Sequence, residues 1–583
     1  MSDGAAAATG WAARTSARYD SLAATPSGLQ WVERDPASGH SVLATWTPSR
    51  GTVLGTVPIG SDVHAYGGGA FVGTDSGTWV VRESDGQVWH ADSGVRLTGS
   101  PHRHGGLSGG DGLLLCVRET ATHDQLVIVD PAGPPESVVV EAPFLGSAVL
   151  DGGRLAWTRW EGGTVPWDSS EVWVARHESG VARDATRIAG GPHESAVQPR
   201  WAPDGFLYFM SDRTGWWNLY RWRAGRTEPV APMRADCAAA PWELDYLNYA
   251  FVGGGRVALT AQTGPLHRLF VVEAAGTVRP VELPYTSIKP YLAAVDDRVA
   301  LIGGSPDRDL EVALVATDGS DGVKVIRAGD RAPATAVAVP EIMRISSGDA
   351  LVTVLFHPPR AESTAPVIVR PHPGPTHHSA FRLDEEVQFF VRNGFGVADV
   401  DYRGSTGYGR AFRKALDGQW GILDVEDCRA VAQHLLDTGR ARPGGLFISG
   451  ASAGGYTALR AVCEDGPFAL AVARSAIVDP QRWAHTAPRF QRPHATILSS
   501  ADAKVLPSRF TAPALLIHGD DDTVAPIADV TALAGALARR GLLHGFLRLP
   551  GVGHYLSAPD ALATALHAEL AAYRAVLGRV AAP

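Results

Sequence analysis

An apolar run that turns abruptly into a helical pattern constrains the fold of this chain more than any other feature. Residues 446–449 read Leu-Phe-Ile-Ser, residues 450–454 read Gly-Ala-Ser-Ala-Gly, and a helical spacing follows. In this setting Gly-x-Ser-x-Gly is typical of a strained strand-to-helix turn, where small residues let the two backbones approach and the serine Oγ stands above the sheet. Ser452 is therefore predicted to be a nucleophile. The N–H of Ala453, at the start of the helix, is predicted to face a developing oxyanion.

The same short pattern occurs a second time, at residues 106–110. No apolar strand precedes it and no helical spacing follows it directly. We therefore expect a glycine-rich loop there, and no nucleophile at Ser108, because the strand and helix context is what gives the pattern its meaning.

The chain from about residue 341 onward alternates between strand and helix patterns. Strands are predicted at residues 366–370, 396–400 and 514–518, and residues 422–437 carry apolar side chains at helical spacing. Alternating strands and helices produce a mostly parallel sheet covered on both faces. Together with the strand-to-helix turn, this predicts an α/β-hydrolase catalytic domain over residues 341–583.

Residues 1–340 have a different texture, with many short apolar runs broken by Gly, Asp, Ser or Pro. Residues 199–213 contain the clearest example, a turn followed by an aromatic strand and a second turn. Weaker versions of this phrase recur, and repeats of about 40–50 residues are typical of propeller blades. The sequence predicts an all-β propeller gating domain of about seven blades, with a stack of β-sandwiches as the alternative. Two domains also agree with the length of 583 residues, since single cores stop growing near about 250–300 residues.

Candidates for the acid and the base follow the nucleophile in the chain order Ser, Asp, His that α/β-hydrolases use. The apolar run 514–518 leads into Asp520, Asp521 and Asp522, at the strand end where catalytic residues lie. Chemistry alone leaves the choice among the three aspartates open, and Asp522 is the preferred acid. His554 follows a further predicted strand, in a glycine-rich loop. It is predicted to act first as general base and then as general acid, held in the correct tautomer by the aspartate.

The loop after residues 367–370 is predicted to supply the second oxyanion donor. Pro373 and Pro375 have no N–H, so Gly374 between them is the candidate. The nearby His372, His377 and His378 raise the alternative of a metal site. Their place beside a tight Pro/Gly loop favours positioning or surface roles, and no metal or other cofactor is predicted.

Composition narrows the function classes. The net charge of −9 argues against nucleic acid and anionic membranes as partners, because both require a basic surface. No apolar stretch approaches the length of a membrane span, and residues 1–20 lack the pattern of a secretory signal. The cysteines at 116, 237, 428 and 463 form no CxxC pair, so we expect four buried thiols in a reducing cytoplasm.

These motifs, taken together, resemble the prolyl oligopeptidase family of serine peptidases, especially its acylaminoacyl-peptidase and aminopeptidase branch. The matching stretches, which agree in order and spacing, are 372–375, 401–409, 420–427, 450–455, 518–522 and 553–554. The resemblance favours Asp522, which lies three residues after the glycine of the His518-Gly519 motif. It also implies a propeller that caps the hydrolase and restricts access to short peptides. The chain departs from the family at Pro373, where a glycine is usual, and it lacks the Glu-Glu helix with which dipeptidyl peptidases grip a free N-terminus.

The sequence leaves the substrate open. The leading hypothesis is a serine exopeptidase that hydrolyses short peptides or aminoacyl and acylaminoacyl amides through an acyl-enzyme. The alternatives are an esterase or amidase acting on a small metabolite, and an inactive propeller binding module. A homo-oligomer is compatible with the sequence. Candidate substrate-binding residues are carboxylates for a free amine (Asp236, Glu243, Asp245) and arginines for a blocked N-terminal carbonyl (Arg489, Arg492).

Overall fold

The computed structural model describes residues 18–35, 38–132, 136–318, 320, 322–328, 337–359 and 364–580. Up to residue 328 it consists of seven small antiparallel sheets, and from residue 341 a single larger sheet is flanked by helices. The seven sheets are the blades of a β-propeller, which confirms the predicted architecture and the blade count.

Each blade is formed by strands that follow one another along the chain and pair antiparallel with their neighbours. The first three blades contain β1 (Arg18–Thr25), β2 (Gly28–Arg34), β3 (Ser41–Thr47) and β4 (Gly51–Pro58); β5 (Phe71–Thr74), β6 (Gly77–Val81) and β7 (Val88–His90); and β8 (Arg103–Gly110), β9 (Leu113–Glu119), β10 (Asp124–Val129) and β11 (Ser137–Ala142).

The remaining four blades complete the ring. They contain β12 (Phe144–Asp151), β13 (Arg154–Trp160), β14 (Glu171–Glu178) and β15 (Val181–Gly190); β16 (Ala196–Trp201), β17 (Leu207–Ser211), β18 (Asn218–Arg223) and β19 (Arg226–Pro229); β20 (Tyr249–Val252), β21 (Arg256–Thr263), β22 (Leu266–Val272) and β23 (Val278–Val281); and β24 (Ser287–Ile288), β25 (Ala293–Val295), β26 (Arg298–Ser305), β27 (Arg308–Ala316) and β28 (Val323–Arg327).

The propeller closes by packing between its first and last blades. Tyr19 and Trp31 of the first blade share one buried apolar cluster with Ile302 and Val312 of the last. The predicted glycine-rich loop at residues 106–110 is wrong, because these residues lie in β8, which pairs with β9 across a bulge between Gly105 and Ser108. The glycines are needed there because the next blade lies so close: a Cβ on Gly110 would come within 2.0 Å of the carbonyl oxygen of Leu150.

The C-terminal sheet has eight strands in the order β29-β30-β32-β31-β33-β34-β35-β36, and the five pairings from β32 to β36 are parallel. Its strands are β29 (Glu341–Ser347), β30 (Ala350–His357), β31 (Ala365–Pro371), β32 (Gly396–Asp401), β33 (Ala441–Ala451), β34 (Leu470–Arg474), β35 (Ala514–Gly519) and β36 (Leu543–Leu549). The first strand of this sheet, β29, begins at Glu341, and the division of the chain after residue 340 stays a prediction.

Helices cover both faces of this sheet, and each face has its own buried cluster. They are α1 (Glu385–Arg392), α2 (Arg410–Lys414), α3 (Leu423–Asp437), α4 (Ala453–Ala461), α5 (Pro480–Thr486), α6 (Arg492–Leu498), α7 (Ile527–Arg539) and α8 (Pro559–Val580), with short 3-10 turns at Val63–Ala65, Arg489–Gln491 and Pro507–Arg509. The helical spacing predicted for residues 422–437 is confirmed in α3, which buries Val425, Cys428, Val431 and Leu435. No helix among the described residues is long and apolar enough to span a membrane.

Candidate active site

Ser452 occupies the sharp turn between β33 and α4. Its φ of 53° lies in the left-handed region, which non-glycine residues rarely adopt. Two glycines make this turn feasible: a Cβ on Gly450 would lie 2.3 Å from the backbone of Gly454, and a Cβ on Gly454 would lie 2.3 Å from the carbonyl oxygen of Pro371. The small residues of the motif therefore let the backbones of the strand and the helix approach closely, as the sequence suggested. This holds the serine in a strained, outward-facing position.

The structure brings Ser452, His554 and Asp522 together in one line of contacts. His554 Nε2 lies 3.1 Å from Ser452 Oγ, and His554 Nδ1 lies 2.8 Å from Asp522 Oδ2. Of the three consecutive aspartates, Asp522 is the buried one, whereas Asp521 is exposed and Asp520 pairs with Arg548. The order Ser452–His554–Asp522 has the geometry that a nucleophile, a general base and an orienting carboxylate require.

The carboxylate of Asp522 is held by several donors. Its Oδ1 atom accepts hydrogen bonds from the backbone N–H groups of Val524 (2.9 Å) and Ala525 (2.8 Å). Burial alone would raise the pKa of Asp522, but hydrogen bonds from His518 and His554 outweigh burial and hold the pKa below its ordinary value. Asp522 is therefore ionised across the neutral range and can stabilise a positive charge on His554.

The two predicted oxyanion donors are the backbone N–H groups of Ala453 and Gly374. Ala453 is the first residue of α4, so its N–H has no acceptor within the helix. Gly374, the other predicted donor, has a φ of 54° and lies in the loop 371–376, whose backbone touches α4 at Gly454. The loop that carries Gly374 thus packs against the helix that begins at Ala453, and the role of the two N–H groups as oxyanion donors stays a prediction.

The histidines near this loop have structural partners. The ring of His372 stacks on Tyr402 at 4.3 Å, and its Nε2 lies 2.7 Å from Ser405 Oγ. Burial lowers the pKa of His372 to about 3 and that of His377 to about 4, so both rings are neutral. These contacts support the positioning role that the sequence favoured for His372.

The side chains close enough to share a metal ion, among the described residues, lie elsewhere. They are His64, Glu119 and Asp124, on the propeller. Arg489 already pairs with both carboxylates, so a guanidinium occupies the place that a cation would take.

Glu243 is the predicted substrate carboxylate that follows Trp242, whose indole contacts the loop 371–376. Its two oxygens accept hydrogen bonds from Tyr246 (3.2 Å) and Tyr291 (2.8 Å). Burial, followed by the nearby charges of Asp20 and Asp245, raises the pKa of Glu243 to about 8. The pKa of Tyr555, the exposed residue after His554, is raised, and the charge of Glu243 contributes to that shift. Glu243 is therefore within electrostatic range of the residues around the triad.

The other predicted carboxylates have structural roles. The prediction that Asp236 meets a substrate ammonium is wrong, because its buried carboxylate accepts hydrogen bonds from the N–H groups of Trp217, Gly407 and Gly409, each at 3.1 Å. Gly407 and Gly409 belong to the hydrolase domain, so Asp236 joins the two domains. Burial raises the pKa of Asp245, and the nearby hydroxyl of Ser21 and backbone of Gly69 lower it.

The two predicted arginines do not form a pair of substrate donors. Arg489 donates to the carbonyl oxygen of Pro143 at 2.5 Å, pairs with Asp124 and Glu119, and stacks over Phe144. All four partners belong to the propeller, so the Arg489 guanidinium links the hydrolase domain to the propeller. Arg492 is exposed, and its Nε donates to the carbonyl oxygen of Ala487 in its own domain.

Sequence reasoning missed Trp242 and Tyr66. Trp242 Nε1 donates to the carbonyl oxygen of Thr376 at 2.8 Å, and Tyr66 OH bonds with Gln491. Both are propeller residues that contact the hydrolase domain beside the candidate site. Trp242 precedes the candidate Glu243 directly, which is the one signal in the sequence that could have drawn attention to it.

A seven-bladed propeller covering an α/β-hydrolase domain, with a serine on the strand-to-helix turn, defines the class: a propeller-capped serine hydrolase. Residues 381–579 match the model of the prolyl oligopeptidase family. The whole chain superimposes on a puromycin-hydrolyzing peptidase of Mycobacterium tuberculosis with a TM-score of 0.92 and 28% identity, covering 98% of this chain and 96% of that one. The C-terminal region thus matches a family of serine peptidases, and almost the whole chain shares its fold with a solved member of the puromycin-hydrolyzing type.

Two curated relatives are similar over shorter regions. The uncharacterized peptidase YuxL of Bacillus subtilis is 25% identical over 50% of this chain and 47% of its own length. An acylamino-acid-releasing enzyme of Arabidopsis thaliana is 26% identical over 33% of this chain and 28% of its own length. The matched regions thus span less than half of either relative.

Proposed function

We propose that this protein is a serine exopeptidase that removes an amino acid with a free α-amino group from short peptides and aminoacyl amides. The observation that carries this proposal is the position of Glu243, a half-buried carboxylate that directly follows Trp242, whose indole contacts the loop 371–376 beside the triad. A carboxylate is the group that an ammonium requires as its partner in a water-poor site.

The proposed chemistry follows from the contacts around Ser452. Its Oγ attacks the substrate carbonyl while His554 Nε2, 3.1 Å away, takes the proton and then delivers it to the leaving amine. The new oxyanion is held by the N–H groups of Gly374 and Ala453. Water, activated by His554, then resolves the acyl-enzyme, and Asp522 stabilises the imidazolium in both halves of the reaction.

The competing preference, for a blocked N-terminus, finds less support among the described residues. An acylaminoacyl substrate requires a donor for its N-terminal carbonyl, and Arg489, one of the two candidates, already binds two carboxylates and a carbonyl oxygen of the propeller. The similarity to a puromycin-hydrolyzing peptidase points the same way, because puromycin is an aminoacyl amide with a free α-amine.

The experiment that tests the proposal compares free aminoacyl p-nitroanilides, and puromycin, with their N-acetyl counterparts. We expect the free amines to be cleaved faster. Glu243→Gln removes the charge with little change in shape, so it should raise KM for the free amines and leave the N-acetyl substrates nearly unchanged. Glu282→Gln, at an exposed propeller position, is the matched control for loss of one negative charge.

Two outcomes would overturn the proposal. Preference for the N-acetyl series would make the protein an acylaminoacyl peptidase, and cleavage of simple esters without any amide would make it an esterase. A fluorophosphonate probe should label the protein but not Ser452→Ala, and equal labelling of both would remove Ser452 from the mechanism.

A further inference from the structure

Trp242 of the propeller reaches across the domain interface to the loop 371–376 of the hydrolase domain. Its indole N–H donates to the carbonyl oxygen of Thr376 at 2.8 Å. The same ring lies over Gly374, since a Cβ placed on that glycine would be 3.5 Å from the indole Cζ2 atom. A single side chain of one domain therefore contacts the loop that carries the proposed oxyanion donor of the other domain.

This loop depends on outside partners for its shape. Gly374 lies at a φ of 54°, and its N–H donates to no protein acceptor within the described residues. Pro373 and Pro375 on either side have no N–H, so this stretch offers few donors for closing a turn within itself. A loop of this kind keeps one conformation only where neighbouring groups hold it.

The hydrolase domain holds the first half of the loop. Tyr402 OH donates to the carbonyl oxygen of His372 at 3.0 Å, and Ser405 lies 2.7 Å from the ring nitrogen of the same histidine. At the other end, Thr376 Oγ1 lies 3.3 Å from His494 Nε2. The backbone carbonyl of Thr376 is held by the propeller, through Trp242.

The indole of Trp242 is itself fixed by aromatic neighbours. Its ring centroid lies 4.4 Å from that of Trp167 and 4.9 Å from that of Tyr66, both in the propeller. Tyr66 in turn bonds with Gln491 of the hydrolase domain. The donor offered to Thr376 is thus presented at a defined place whenever the two domains are docked.

We propose that Trp242 is a positioning residue for the oxyanion loop, so that the oxyanion site is complete only while the propeller is docked on the hydrolase domain. This inference rests on the proposed role of Gly374 as an oxyanion donor. In physical terms, the bond from Trp242 holds the peptide group between Thr376 and His377, and the fixed φ of Pro375 leaves little freedom between that group and Gly374. Docking of the propeller on the hydrolase domain therefore sets the direction of the Gly374 N–H. Substrate access and catalytic competence then both depend on the interface between the two domains.

The test is Trp242→Phe, which keeps an aromatic ring and removes the N–H donor. Displacing a catalytic group by about 1 Å can cost about 100-fold in rate, so we expect kcat to fall by about 10- to 100-fold with KM changed less than about twofold. The loss should be equal for an amide and for a p-nitrophenyl ester, because both form the same oxyanion. A peptide boronic acid, whose tetrahedral adduct places an oxygen at this site, should bind more weakly by about the same factor.

The matched control is Trp160→Phe. Trp160 belongs to the same aromatic group, through Phe144 and Phe490, but within the described part of the chain its ring contacts do not reach the loop. It should keep kcat and the boronic acid affinity. An equal loss of kcat in both variants would mean that Trp242 acts only through general packing, which would overturn the proposal. A raised KM with unchanged kcat would make Trp242 a substrate contact, and unchanged kinetics would also overturn the proposal.

The ester measurement separates this inference from the proposed substrate class. If the protein cleaves esters but not free aminoacyl amides, the exopeptidase proposal fails while the Trp242 test stands. If free aminoacyl amides are cleaved and Trp242→Phe has no effect on either substrate, the exopeptidase proposal stands and the positioning role fails.

Discussion

Nε2 of His518 lies 3.3 Å from Oδ2 of Asp522, the same oxygen that faces His554. His518 is fully buried at the end of β35, and its Nε2 also lies 2.7 Å from the carbonyl oxygen of Ala525. A carbonyl oxygen only accepts, so the hydrogen of His518 is on Nε2 and is shared between Ala525 and Asp522. His518 thus holds the turn that carries the proposed catalytic carboxylate.

His518→Phe tests this arrangement. Phenylalanine fills the ring space but donates nothing, so Asp522 loses one donor and is held less firmly against His554. We expect kcat to fall by about 10-fold or more with little change in KM, since general base catalysis contributes about 100- to 10,000-fold and depends on geometry. His518→Gln, which can place an N–H near the same point, should recover part of the rate. Equal losses in the two variants would indicate a packing role only.

The pH dependence of substrate binding should report the ionisation of Glu243. Because burial and nearby carboxylates raise its pKa to about 8, this group loses its charge as the pH falls below 8. We expect 1/KM for free aminoacyl p-nitroanilides to fall between pH 8 and pH 6, whereas 1/KM for a neutral ester stays level over the same range. Glu243→Gln should remove the difference. Parallel pH profiles for the two substrates in the wild-type protein would contradict the role of Glu243.

The same carboxyl group should couple folding to pH. Its pKa in the folded protein, about 8, lies above the ordinary value of 4.5, so the folded state binds the proton more tightly than the unfolded state does. Its favourable contribution is complete below pH 4.5 and is lost as the pH rises toward 8. Relative to wild type, Glu243→Gln should therefore gain thermal stability between pH 5 and pH 8. A difference in unfolding midpoint that is independent of pH would contradict the raised pKa.

Features governed by local chemistry were predictable from the sequence. The turn at Ser452 requires small residues on both sides, and that requirement is visible in residues 450–454 without any knowledge of the fold. The helix α3 was predictable because its buried residues recur at helical spacing. The blades were predictable as a class, because short strands separated by turn residues have few other solutions.

Features governed by contacts between distant segments were not predictable. Asp236 was proposed as a substrate carboxylate because it is an acid near a tryptophan-rich strand, but its partners, Gly407 and Gly409, are more than 170 residues away. The glycines at residues 106–110 were predicted to form a loop, whereas they permit close packing between blades. In each case the contact that determines the role of the residue is made by a segment far away in the sequence, so the neighbouring residues do not reveal it.

Asp236→Asn should weaken the joint between the domains. Oδ1 accepts from Trp217, and Oδ2 accepts from Gly407 and Gly409. An asparagine turns an NH2 group toward one of these sets, so at least one buried N–H loses its acceptor, at a cost of about 1–3 kcal/mol. We expect a lower midpoint of thermal unfolding. Asp297→Asn, at a position with 73% side-chain exposure, is the control and should leave the midpoint unchanged. Equal midpoints for Asp236→Asn and wild type would mean that this carboxylate does not join the domains.

Arg489→Met distinguishes a structural arginine from a substrate ligand. Methionine keeps much of the apolar contact with Phe144 but removes the guanidinium from Asp124, which is fully buried. Removing one partner of a buried ion pair costs about 3–5 kcal/mol, so we expect a marked fall in the unfolding midpoint. The ratio of activities on free and N-acetyl aminoacyl p-nitroanilides should stay unchanged, because the guanidinium serves the interface. Arg492→Met, at an exposed position three residues further on, should alter neither the unfolding midpoint nor the ratio of activities. A selective loss of activity on the N-acetyl series in Arg489→Met would instead show that Arg489 binds substrate, because only a ligand to the blocked N-terminus distinguishes the two series. That result would favour an acylaminoacyl peptidase.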